Sequence, residues 1–264
     1  MSKKSTRKAT IAESSDRHAV YQKAVQSPQA DIELLQYFYT EARGRKAYHF
    51  REDFCGTGLT LSHWVKQGKR YTGEGFDIDK ETVDWGQEHN FDPLGTAGKR
   101  GKLHIEDARA ASDKSPDVRC AFNFSYWIFT EREIMLEYFR SVHKDLADKG
   151  IFVMDFHGGP ESVSEEESVN DYGDFESVWH QVNFSPVTHH ADLSLHFRFP
   201  DGSSMEKAFS YHWRIWSIPE ITDILKEAGF RDFQVYWDDG EGEYEITRTG
   251  FNDPSWIACL VAIK

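Results

Sequence analysis

Between Ala47 and Phe156 the chain alternates short apolar runs with helix-like segments, and this rhythm limits its fold more than any other feature. "AYHFREDF" (47–54) reads as a strand running into Cys-Gly-Thr-Gly, and "GLTLSHWVKQG" reads as a helix closed by Gly68. A second strand, "RYTGEGFDI", ends at Asp77, and Asp79 caps the helix "DKETVDWGQEHN". "GKLHIEDA" and "VRCAFNF" are the third and fourth strands, ending near Asp107 and Asn123. Thr130 and Glu133 read as a capping box. It opens a helix whose apolar positions, Met135, Tyr138, Phe139, Val142 and Leu146, recur at helical spacing. Gly150 stops that helix, and "IFVMDF" follows as a fifth strand, apolar enough to be covered on both faces. Such alternation predicts a parallel sheet wound by right-handed crossovers.

The flanks read differently. Arg17 to Val25 and Asp31 to Ala42 are expected helices, with Asp31 as the N-cap of the second. Residues 1–16 are polar and basic without an apolar core, which predicts a disordered tail rather than a secretory signal. After Gly159 an acidic stretch, 161–176, is expected to be a flexible loop. Alternating runs at 175–184, 192–199 and 204–216, with "PDGS" as a hairpin turn, predict an antiparallel insertion. Ser217 and Glu220 form a second capping box, and an amphipathic helix runs to Gly229. "FRDFQVYW" and "SWIACLVAIK" close the chain as strands joined by an acidic loop, 238–254.

Composition removes several function classes. A formal net charge of −13 lacks the cationic footprint that a general nucleic-acid binder needs. Three scattered cysteines, Cys55, Cys120 and Cys259, make neither a CxxC metal site nor a disulfide framework. They fit a reducing, cytoplasmic compartment. No run approaches the roughly 20 apolar residues of a membrane span, so a soluble protein with no membrane partner is expected.

The turn Cys55-Gly56-Thr57-Gly58 between strand and helix marks a place where backbone approaches a ligand. A phosphate-binding loop would need G-x-x-x-x-G-K-[ST], which does not occur. A dinucleotide site needs a third glycine where Leu61 stands. S-adenosylmethionine (SAM) has no pyrophosphate and suits an open glycine turn. Its ribose needs an acid about 20 positions on, where Asp77 ends the second strand beside Ile78. Its adenine needs a polar group at the end of the third strand, where Asp107 sits with Ala108 and Arg109. Three such groups at the carboxyl ends of three successive strands lie where ligands bind in open parallel sheets.

On these residues the sequence resembles the class I SAM-dependent methyltransferases, small-molecule type, over about Tyr48 to Asp155 plus the closing helix and strands. The family's acidic-x-G-x-G-x-G motif maps to Glu52-Asp53-Phe54-Cys55-Gly56-Thr57-Gly58, with Phe54 replacing the first glycine. The resemblance implies a Rossmann-like, seven-stranded α/β sheet, mostly parallel with an antiparallel last strand. It also implies a helical lid (17–45), a SAM-binding core (46–160), a substrate-side insertion (161–216) and a C-terminal part of the core (217–264). Tyr21 and Gln26 would close over the cofactor, and Arg51 would clamp its carboxylate. Asn123 and Phe124 would lie in the loop covering the sulfonium.

Methyl transfer draws its rate mostly from alignment of donor and acceptor, and an amine acceptor must also lose a proton. Tyr126, His157 and Arg214 are the candidates for work near the acceptor. The expected acceptor is N or O of a small metabolite, and the acidic insertion favours an amine. Two other readings stay open: an NAD(P)-binding oxidoreductase and a catalytically silent SAM-binding protein.

Overall fold

The structure is a computed structural model and describes residues 8–238, 240 and 243–264. In chain order, helices α1 (Ile11–Ser14), α2 (Arg17–Val25) and α3 (Pro28–Arg43) precede β1 (His49–Asp53), α4 (Leu59–Lys66) and β2 (Thr72–Asp77). Then come α5 (Lys80–Gly86), β3 (Gly101–Ile105), β4 (Val118–Ala121), α6 (Arg132–Asp145) and β5 (Ile151–Gly158). Strands β6 (Glu167–Asp171), β7 (Glu176–Phe184), β8 (His190–Arg198) and β9 (Ser204–Arg214) follow. The chain ends with α7 (Ile218–Ala228), β10 (Asp232–Asp238), β11 (Tyr244–Thr247) and β12 (Trp256–Ile263).

These elements form two compact units. The larger, Ser27–Val163 with Arg214–Lys264, holds an eight-stranded sheet in the order β11-β10-β12-β5-β4-β1-β2-β3. β3, β2, β1, β4 and β5 run parallel, whereas β12, β10 and β11 are joined antiparallel. The strand order reverses between β1 and β4, the kind of switch point at whose carboxyl ends open parallel sheets carry their ligands. One more strand forms than expected, because Tyr244–Thr247 in the acidic 238–254 segment pairs with β10.

Period-two alternation in β1 assigns its side chains to opposite layers. Phe50 packs on Trp64 of α4 at 5.0 Å between ring centroids. Arg51 and Asp53, pointing the other way, meet Arg119 of β4 and Tyr138 of α6. α3 covers the first layer, with Phe38 4.2 Å from Tyr236 of β10.

The smaller unit combines residues up to Gln26 with Ser164–Trp213 and carries the antiparallel sheet β6-β7-β8-β9. Its core gathers Phe175, Leu195, Phe197 and Phe199, with Val20, Tyr21 and Ala24 of α2 packed against them. The 17–45 segment is thus split: α2 belongs with the insertion, and α3 belongs with the core sheet.

Local expectations need four corrections. The 1–16 tail is described from Lys8, and there Thr10 and Glu13 make a reciprocal capping box on α1 instead of a solvated coil; residues 1–7 lie outside the described residues. Asp31 sits in the first turn of α3, because Pro28 at the first helical position starts the helix earlier, after Ser27. The Thr130–Glu133 box does not close, since Glu131 occupies the N-cap position of α6 without a side-chain cap. The acidic 161–176 stretch is partly ordered as β6, paired with β7. The Ser217–Glu220 box forms as expected.

Candidate functional site at the carboxyl edge of the parallel strands

The glycine turn and Asp77 meet. Gly56 N–H donates to Asp77 Oδ2 at 2.9 Å, and Asp79 N–H donates to Oδ1 at 2.9 Å. Burial pushes the Asp77 carboxyl up, partly countered by these two bonds. Gly56 and Gly58 take positive φ, and so does Phe54 at φ 54°. Phe54 therefore adopts the left-handed conformation that a glycine there would reach freely. Its ring is held by Phe129 and Tyr138, at 5.6 and 5.9 Å.

Behind the turn, α5 approaches so closely that a Cβ on Gly86 would lie 2.2 Å from the Thr57 carbonyl oxygen. Asn90 Nδ2 donates to that same oxygen at 2.9 Å. Cys55 is buried, and burial raises its thiol far above the range in which a thiolate forms, so it serves as packing. Ile78 is exposed beside Asp77.

Arg51 does not reach toward a ligand. It is fully buried under the sheet, where Nε donates to Asp53 at 2.7 Å, Nη1 to the Ala110 carbonyl at 2.9 Å and Nη2 to the Ala108 carbonyl at 2.7 Å. The carboxylate-clamp expectation is overturned by strand alternation, which puts odd-numbered residues of β1 on the α6 side. Arg119 joins the same group: Nε donates to Asp53 at 2.7 Å, Nη1 to Asp145 at 3.1 Å and Nη2 to the Ala108 carbonyl at 2.6 Å. Two arginines and two aspartates balance in charge, which buried ions require.

This network fixes the loop after β3. Asp107 and Arg109 point outward and pair with each other, Nε to Oδ1 and Nη2 to Oδ2 both at 2.9 Å. Arg109 holds the Asp107 carboxyl below its usual range. Further along, Glu74 of β2 accepts the Asp113 and Lys114 N–H groups at 2.9 and 3.1 Å. Glu74, His104 and Asp113 bring ligand-type atoms within 4.8 Å of one another. Those atoms are already engaged, His104 with Glu74 and Asp113 with Lys102, so the group reads as a loop anchor.

The loop after β4 is held by Asp155. Its carboxylate accepts Asn123 N–H at 2.7 Å and Phe124 N–H at 2.9 Å, and both donors belong to residues with left-handed backbone. Tyr126 is fully buried and donates its hydroxyl to the Asp155 carbonyl at 2.8 Å. Burial raises its phenol far above the usual range, so it is not poised as a base. Arg214 stacks on Trp216 at 3.7 Å and donates to the Thr130 carbonyl and to Glu220. Its charge is spent on the entry to α7. His157, at the end of β5, lies 4.5 Å from the Phe124 ring and 4.8 Å from Trp127. Burial lowers its pKa to about 4, leaving a neutral imidazole. Tyr21 belongs to the smaller unit, where its ring packs on Phe209 at 4.6 Å.

Three further carboxylates complete the edge: Glu52, the acid of the mapped glycine motif, Asp31, expected only as a helix cap, and Asp155, to which the sequence reading gave no role. Burial raises Glu52 to about 8, with Asp31 and Asp77 pushing in the same direction. Asp31 is raised to about 6 and Asp155 to about 7, again chiefly by burial. Glu52 accepts Leu61 N–H at 3.1 Å, and Asp31 accepts the Thr60 hydroxyl at 3.3 Å. A set of acids held near their ionisation points suits a cationic ligand. The available signal was a lone acid ending an apolar strand, as in "IFVMD".

The protein-family models contain no match to this chain, and its sequence matches no curated protein. Solved structures do match. An S-adenosylmethionine-dependent methyltransferase from Clostridium acetobutylicum shares 14% identity at TM-score 0.70, with 93% of this chain and 96% of that one covered. The fold is that of the SAM-dependent methyltransferases. DesVI of Streptomyces venezuelae superposes at TM-score 0.67 with 15% identity, over 97% of this chain and 99% of that one. The sugar N-methyltransferase KedS8 from Streptoalloteichus superposes at 0.65 with 15% identity, over 100% and 98%. This methyltransferase fold places the glycine turn, Asp77 and the Asp155-held loop on one edge of the sheet. Among the described residues no helix is long and apolar enough to cross a membrane.

Proposed function

We propose that this chain is a SAM-dependent methyltransferase acting on an amine of a small molecule. The observation that carries the reading is the bond between Gly56 N–H and Asp77, flanked by the Asp155-held loop. The residues suit SAM. Gly56 holds the turn at a φ of 52°, a backbone conformation that glycine reaches without strain and that keeps its N–H on Asp77. Asp77 would take the ribose hydroxyls, and Asp107 with Ala108 and Arg109 would line the adenine. Asn123 and Phe124 would face the sulfonium end, and Asp31, Glu52 and Asp155 would supply negative charge for its cationic groups.

When bound, SAM supplies an electrophilic methyl carbon activated by the adjoining sulfonium. The chain's own part is to orient and to handle a proton. Phe124 and Trp127 fix the ring of His157, and its neutral imidazole can accept a hydrogen bond from an acceptor N–H. The acidic edge favours a cationic acceptor over an anionic one. Structural relatives described as sugar N-methyltransferase and glycopeptide N-methyltransferase add weight to an amine on a sugar-like body.

Calorimetry with S-adenosylhomocysteine, alongside NADH fluorescence, tests the cofactor. S-adenosylhomocysteine binding without NADH binding is expected, and the reverse result would overturn the reading. Release of S-adenosylhomocysteine with amino sugars, compared with their hydroxyl counterparts, tests the acceptor. Binding without turnover on either set would favour a silent SAM-binding protein.

A further inference from the structure

We propose that Arg51 and Arg119 are positioning residues for adenine recognition, acting from beneath the sheet through the Ala108 carbonyl. The inference rests on the SAM reading above. Both guanidiniums donate to that one oxygen, at 2.7 and 2.6 Å. Charge-assisted bonds of this kind are shorter and stronger than neutral ones, and two on one acceptor leave the peptide little freedom.

The anchoring continues along the loop with a regular sense. Arg51 Nη1 also takes the Ala110 carbonyl, and Asp145 accepts Ser112 N–H and its hydroxyl, each at 2.8 Å. Residues 108, 110 and 112 therefore turn their polar groups inward to the ionic network. Asp107 and Arg109, alternating with them, keep their side chains outward. The network thus decides which face of the loop a ligand meets, without touching the ligand.

Its arrangement is costly for stability alone. A buried ion group gains no more than a well-packed apolar one of similar size, because each ion loses its hydration. Phe76, 3.7 Å from the Arg51 guanidinium, shows that aromatic packing is already at hand. What an apolar filler lacks is a pair of donors aimed at the carbonyl next to Asp107.

The test compares S-adenosylhomocysteine with its inosine analogue, which carries an oxygen in place of the exocyclic amine. Calorimetry on wild type and Arg119→Lys reads both dissociation constants, and thermal denaturation reads the fold. We expect Arg119→Lys to weaken S-adenosylhomocysteine binding about tenfold and the inosine analogue less than threefold, so that discrimination collapses. Ser112→Ala, a milder cut in the same network, is expected to shift the ratio in the same direction by about threefold. Equal weakening of both ligands, or a lowered melting temperature with an unchanged ratio, would reduce the network to scaffolding. Should wild type fail to bind S-adenosylhomocysteine, the cofactor reading itself falls. A wild type that binds, with variants that keep the ratio, overturns only the positioning role.

Discussion

Gly56 and Asp77, 21 residues apart, share one hydrogen bond of 2.9 Å that joins the turn after β1 to the end of β2. The bond ties a backbone donor to a half-buried carboxylate at the place where the two strands release their chains. The ligand proposed for this edge would meet the geometry that the pair sets.

Asp77→Ala removes both the proposed ribose acceptor and the brace on Gly56. Loss of a charged hydrogen-bonding group costs about 1–3 kcal/mol, so S-adenosylhomocysteine affinity should fall about 5- to 150-fold. Calorimetry on the variant reads this directly. Equal affinity in the two proteins would remove Asp77 from the site.

The acidic edge predicts a pH dependence with a definite sign. Asp31, Glu52 and Asp155 sit at about 6, 8 and 7, above the roughly 4 of an unfolded carboxyl. Their contribution to stability is present below pH ~4 and is lost as pH rises through about 6 to 8. The ligand-free protein should therefore lose melting temperature from pH 5 to 8.5. A cationic ligand favours the ionised forms, so SAM should bind more tightly over the same window. S-adenosylhomocysteine has one positive charge fewer and should respond less. Parallel pH profiles for the two ligands would contradict the electrostatic role.

Phe54 separates backbone strain from ring packing. Left-handed backbone costs an ordinary residue roughly 1–2 kcal/mol, while the ring touches Phe129 and Tyr138. Phe54→Ala keeps the strain and loses the ring, whereas Phe54→Gly loses both. The glycine variant should be more stable than the alanine variant by about 1 kcal/mol in denaturant titration. The opposite order would mean that the positive φ carries no cost.

Gly86→Ala places a methyl carbon against the Thr57 carbonyl. The turn or α5 must shift, so both melting temperature and S-adenosylhomocysteine affinity should drop. Gly95→Ala separates the two effects, because Gly95 has open surroundings but a φ of 56°, whereas Gly86 is crowded at an ordinary helical φ of −61°. A Gly86→Ala protein that binds like wild type would show that the turn tolerates displacement.

His157→Phe keeps an aromatic ring beside Phe124 and Trp127 and removes the imidazole lone pair. If His157 accepts a hydrogen bond from the acceptor N–H, turnover falls while S-adenosylhomocysteine affinity stays within about twofold. A variant with unchanged turnover would make His157 a packing residue.

The β-α rhythm, the glycine turn and the acids at strand ends were legible in the chain itself. Each follows from local rules: period-two and period-3.6 patterns, turn chemistry, and the habit of parallel sheets to carry ligands at one edge. The sequence alone therefore determined the fold class and the Gly56–Asp77 half of the candidate site. Tertiary structure decided the rest. Arg51 looked like a ligand clamp, yet its odd position in β1 turns it into the α6 layer, where Asp53 and the distant Asp145 accept its N–H groups and Arg119 shares both acceptors. Asp31 looked like a helix cap and became one of a group of buried acids. Tyr126 looked reactive and went into the core. In each case the deciding partner lies tens of residues away, and only closure of the sheet brings the two together.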